Sequence, residues 1–87
     1  MTRIVFRPRA VLGLRNASKE IQEVINRAIK ILEQGSIPLH TKKLGGFNNG
    51  YRIRIGRWRI LFVLGSNQIE VVDIFLKKGP EDYRQRT

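Results

Sequence analysis

The sequence predicts an α+β fold: an antiparallel sheet of about four strands, with one long helix, and a second short one if residues 9–14 are helical, packed on one face. Three observations carry that prediction. Apolar residues recur at helical spacing over 17–34, alternate over 2–7, and alternate again in three C-terminal runs separated by glycine-marked turns.

In chain order, Ile4 and Phe6 alternate with Arg3, Val5 and Arg7, which gives a first strand over 2–7 that Pro8 ends. Residues 9–14 read as a short helix or as a loop, because Gly13 and Arg15-Asn16 weaken the helical pattern. Ile21, Val24, Ile25, Ala28, Ile29 and Leu32 form one face of a helix over 17–34. Asn16 or Ser18 can cap its start, Glu20 suits the positive end of the helix dipole, and Gly35 offers a left-handed stop. Residues 36–50 hold Pro38, Gly45-Gly46 and Asn48-Asn49-Gly50, the composition of a connection with little regular structure. Residues 51–55 and 58–64 form a hairpin about Gly56-Arg57, with glycine first as a type II′ turn requires. A three-residue turn, Gly65-Ser66-Asn67, leads to a last strand over 68–77.

A chain of 87 residues makes a single domain, 1–87, with a small core. It has no cysteine, which excludes disulfides, thiolate metal sites and cysteine nucleophiles and fits a reducing, cytoplasmic location. No run approaches the ~20 apolar residues of a membrane span. Charge is the strongest compositional signal: 17 Lys and Arg against 7 Asp and Glu give +10. Such a surface favours a polyanion, because neutralising phosphates releases counterions. Ribosome-associated and membrane-surface proteins share that charge, so it names a class of partner and no more.

A two-residue turn at Gly56-Arg57 fixes the cross-strand pairs as Ile55 with Trp58, Arg54 with Arg59, Ile53 with Ile60, Arg52 with Leu61 and Tyr51 with Phe62. Tyr51, Ile53, Ile55, Trp58, Ile60 and Phe62 then face the helix, and Arg52, Arg54 and Arg59 face the other way. Directly opposed arginines repel, so a sheet built for stability alone would not set Arg54 against Arg59 without an anion or carboxylate between them. The three-residue second turn sets Asp73 beside Arg59, whereas a loop of two or four residues would send that carboxylate toward the core at a cost. The plain alternative is a solvated basic face with one salt bridge. Lys77 and Lys78 end the last strand, and Tyr83 follows among Arg84 and Arg86. Lys42 and Lys43 can extend the phosphate-facing surface, and His40 is of the one side-chain type that ordinarily titrates near neutrality.

Lys43-Leu44-Gly45 followed by the run from Tyr51-Arg52-Ile53-Arg54 through Gly56-Arg57-Trp58-Arg59 to Phe62 resembles the central pattern of the RelE/ParE toxin superfamily. The element order and the Lys-Lys ending with a nearby tyrosine agree, so the resemblance covers nearly the whole chain. It implies the toxin of a type II toxin–antitoxin system, sequestered by an acidic antitoxin, that inhibits translation. RelE-like members are ribosome-dependent endoribonucleases that cut mRNA without metal or other cofactor: the 2′-hydroxyl attacks the adjacent phosphate while basic side chains stabilise the charge. By that resemblance the catalytic positions are Arg59, Arg54, Lys77 and Tyr83, and the RNA- or phosphate-binding positions are Arg52, Lys78, Lys42 and Lys43. Where some members carry a lysine able to act as base, this chain has Arg54, a poor base. Proton abstraction is thereby left to His40, Tyr83 or the ribosome. Two other functions fit the same residues: a ParE-like inhibitor of DNA gyrase without nuclease activity, and a non-catalytic RNA-binding module or inactive toxin relative.

Overall fold

The computed structural model describes residues 2–46 and 48–78 of the chain. Alternating Arg3–Phe6 forms β1. Pro8 does end this strand, and it also starts a helix, α1 (Pro8–Asn16), because proline fixes a helical φ at a position whose N–H has no intrahelical acceptor. Gly13 therefore lies inside a helix, and the reason is contact: a Cβ there would lie 1.7 Å from the carbonyl oxygen of Ile74.

The helical apolar spacing forms α2 (Lys19–Glu33). Ser18, rather than Asn16, caps it, its Oγ accepting a hydrogen bond from the Ile21 amide at 3.3 Å. At the other end Gly35 (φ 86°) donates to Leu32 O and Ser36 donates to Ile31 O, the paired bonds of a Schellman stop. Ser18→Ala is expected to cost about 1 kcal/mol of stability, read from a denaturant midpoint.

Four strands follow: β2 (Thr41–Lys43), β3 (Gly50–Ile55), β4 (Trp58–Leu64) and β5 (Gln68–Leu76). They join β1 in one five-stranded sheet of order β1-β5-β4-β3-β2. The expectation of about four antiparallel strands with one long helix is corrected on three counts. The sheet has five strands and is mixed, since β1 runs parallel to β5. The extra strand, β2, lies in the supposed irregular connection, and its three residues are strand because β3 pairs with them. The second helix is a full one.

The first hairpin has the register that turn arithmetic gives, from Ile55↔Trp58 to Tyr51↔Phe62, with Gly56 at φ 59°. The second hairpin does not. Its turn is the two residues Ser66-Asn67, closed by Gly65 N–H donating to Gln68 O at 2.8 Å. Pairing then runs Leu64↔Ile69 to Phe62↔Val71 and resumes at Leu61↔Asp73, so Val72 is an extra, bulged residue. The carboxylate is kept off the core face by the bulge instead of by a longer turn. Asp73 lies on the Arg59 side of the sheet, although opposite Leu61, while Arg59 faces Phe75.

One face of the sheet is the core. Ile25, Ala28, Ile29 and Leu32 of α2 and Ala10 of α1 pack with Ile53, Ile60, Phe62, Ile69, Val71 and Ile74. Each fully buried aliphatic side chain contributes about 1.5–3 kcal/mol. Tyr51 and Phe62 stack across β3 and β4 with ring centroids 5.4 Å apart, and Trp58 packs against the same cluster. No described helix is long and apolar enough to cross a membrane.

Candidate nucleic-acid interface

The second face carries the cations. Sheet register makes two rows across it. The first is Lys42–Arg52–Leu61–Asp73; the second is Arg54–Arg59–Phe75, with His40 at its outer end, where its carbonyl accepts from the Arg54 amide at 3.1 Å. The alternation of β2, β3 and β4 thus places Lys42, Arg52, Arg54 and Arg59 on one side and directs their apolar neighbours into the core.

This face is not uniformly open. Leu61, Asp73 and Phe75 are buried on it, so the accessible basic surface lies toward β2, β3 and the first turn. Asp73 is only 2% exposed and meets Arg9 Nε at 3.5 Å; near the β1 edge Arg7 pairs with Glu70 at 2.7 Å. Both carboxylates therefore engage arginines of the β1–α1 junction. Among the described residues, no carboxylate pairs with Arg52, Arg54 or Arg59.

These three guanidinium groups rest on backbone or imidazole. Arg52 donates from Nη1 to His40 O at 3.1 Å, and Arg54 Nη2 lies 3.5 Å from His40 Nδ1. Arg59 folds toward the turn, its Nη1 donating at 2.9 Å to both Gly56 O and Trp58 O. Its Nε is buried without a hydrogen-bond partner. An orphaned donor of that kind costs about 1–3 kcal/mol, more for a charged group, which favours rotation of the side chain onto an acceptor. The structure thus sets Arg54 and Arg59 on one row, Arg54 exposed and Arg59 half-buried and folded onto the turn.

The remaining sequence candidates separate. Lys42 is exposed beside Arg52, whereas Lys43 pairs with Tyr51, whose ring faces the core side, and so falls on the other face from the arginines. Lys77 lies just past β5 and its amide donates to Arg57 O at 2.8 Å, which brings it to the turn onto which Arg59 folds. Lys78 follows it and is exposed. Tyr83 lies outside the described residues. The sequence places His40 near the site only through its loop, whereas the three-residue strand β2 fixes that loop to β3.

No family model matches the sequence, and no curated protein does. Solved structures do. A chain of the RelB-RelE antitoxin-toxin complex from Methanococcus jannaschii is 27% identical, with a TM-score of 0.78 over 91% of this chain and 96% of that one. A chain of the intact E. coli RelBE toxin-antitoxin complex is 17% identical, with a TM-score of 0.71 over 91% of this chain and all of its own length (100%). The YoeB dimer from Staphylococcus aureus is 18% identical, with a TM-score of 0.75 over 88% of this chain and 98% of that one. With two helices over one face of a five-stranded mixed sheet, and a basic opposite face, the chain has the fold of the RelE-like toxins.

Proposed function

We propose that this protein is the toxin of a type II toxin–antitoxin system and a metal-independent, ribosome-dependent mRNA endoribonuclease. The observation that carries the reading is the Arg54–Arg59 row, directly opposed cations that no carboxylate pairs with among the described residues, one of them with an orphaned Nε. Phosphoryl transfer concentrates negative charge on the non-bridging oxygens in the transition state, and preorganised cations stabilise that state more than the substrate. Arg59 and Arg54 supply this charge, Lys77 adds to it at the turn end, and Arg52 and Lys42 hold flanking phosphates. Tyr83 is proposed on resemblance alone.

The partner is proposed as an acidic antitoxin. The RelE structures of this fold from Methanococcus jannaschii and E. coli include complexes with RelB, and a net charge of +10 suits an acidic chain that folds over the toxin. Expression in a growing bacterial culture, with primer extension across an abundant messenger, tests the activity. Discrete cuts that disappear when translation initiation is blocked are expected. DNA damage without messenger cuts would replace this reading with gyrase inhibition, and neither effect would leave an RNA-binding or inactive protein.

A further inference from the structure

We propose that His40 is the proton acceptor of the reaction, taking the 2′-hydroxyl proton at Nδ1 while Arg54 holds the adjacent phosphate; this rests on the endoribonuclease reading above. The chemistry requires such a group. Arginine stabilises charge and does not abstract protons at neutral pH, so none of Arg52, Arg54 and Arg59 can do it.

The geometry favours His40 independently. It lies at the outer end of the Arg54–Arg59 row and has φ 63°, a left-handed conformation uncommon for a non-glycine residue. Two arginines hold it there, Arg52 through its carbonyl and Arg54 through its ring. A guanidinium only donates, so a hydrogen bond across this 3.5 Å contact requires the tautomer whose Nδ1 lone pair is free and whose ring proton is on Nε2. When Arg54 turns onto a phosphate it releases that lone pair next to the phosphate it has bound. One movement thus places the scissile group and frees its base.

Among the described residues the charged groups around His40 are cationic: Arg52 and Arg54 of β3, which bond to it, Lys42 two residues further along the chain, and Arg27 of α2, which lines the same groove as His40, Arg54 and Ile55. Among the described residues no carboxylate lines that groove. In the step, the 2′-oxygen loses its proton to Nδ1 and bonds to phosphorus, and the bond from phosphorus to the 5′-oxygen breaks. The leaving oxygen takes a proton from solvent, giving a 2′,3′-cyclic phosphate and a 5′-hydroxyl, and the imidazolium returns its proton to water.

The test compares wild type with His40→Gly and His40→Asn, both residue types that tolerate a left-handed φ. Single-turnover cleavage on programmed ribosomes is followed between about pH 5 and 8. Wild-type cleavage is expected to rise with pH over that range. Both variants should bind ribosomes normally, cleave about 10²–10⁴-fold more slowly and lose the rise, and free imidazole should restore cleavage by His40→Gly. Variants that cleave at the wild-type rate, or slowly with the same rise and no imidazole rescue, would overturn the role of His40 and leave the nuclease reading standing. Absence of cuts by wild type would overturn both.

Discussion

Arg59→Ala is expected to reduce messenger cleavage about 10²–10³-fold and to relieve growth arrest, the loss typical of removing one preorganised oxyanion donor. The fold should be unaffected. Arg59 makes no ion pair among the described residues, bonds only to turn carbonyls, and stands opposite another arginine. Its removal abolishes an orphaned Nε and a cross-strand repulsion, so the denaturant midpoint should stay within about 1 kcal/mol of wild type. A residue that matters greatly to cleavage and hardly to stability is what a phosphate site predicts. Unchanged cleavage by the folded variant would remove Arg59 from the site.

Gly13→Ala is expected to have the opposite profile, a loss of stability of about 3 kcal/mol with no change in the cleavage residues themselves. In an open helix this substitution would gain up to about 1 kcal/mol from propensity. Here the new methyl would occupy the position of the Ile74 carbonyl oxygen, a backbone atom in a central run of β5 that cannot swing aside. Helix α1 must then lift from the sheet, opening the contact of Ala10 with the core. A denaturant midpoint at or above wild type would contradict the close approach.

Features encoded within a few residues were legible in the sequence. The period of Ile21 to Leu32 specifies α2, and a glycine-first turn of two residues specifies the Arg54–Arg59 pair. Three features set by distant partners were not. β2 is too short to show a period and is strand because β3 pairs with it; β1 joins β5 in parallel across the whole chain; and the Val72 bulge hides in a β-branched run, Val71-Val72, that reads as ordinary strand. Of the candidate site, the arginine face was legible because it follows from turn parity. The tether between His40 and Arg54 was not, since it depends on β2, and the burial of Leu61 and Phe75 beside the arginines left no mark in the alternation.

The position of Val72 divides β5 into two stretches with different duties. Up to Val71 the strand is clasped on both sides, by β1 and by β4; from Asp73 onward β1 has turned away at Pro8 and only β4 remains. The irregularity falls where one clasp ends, the place at which a strand can most cheaply change phase. The first stretch therefore anchors the chain, and the second can be rotated half a period to present Asp73 and Phe75 without disturbing it. In this architecture the anchoring stretch and the stretch that carries Asp73 to the arginine side are separated by a single amino acid within one strand.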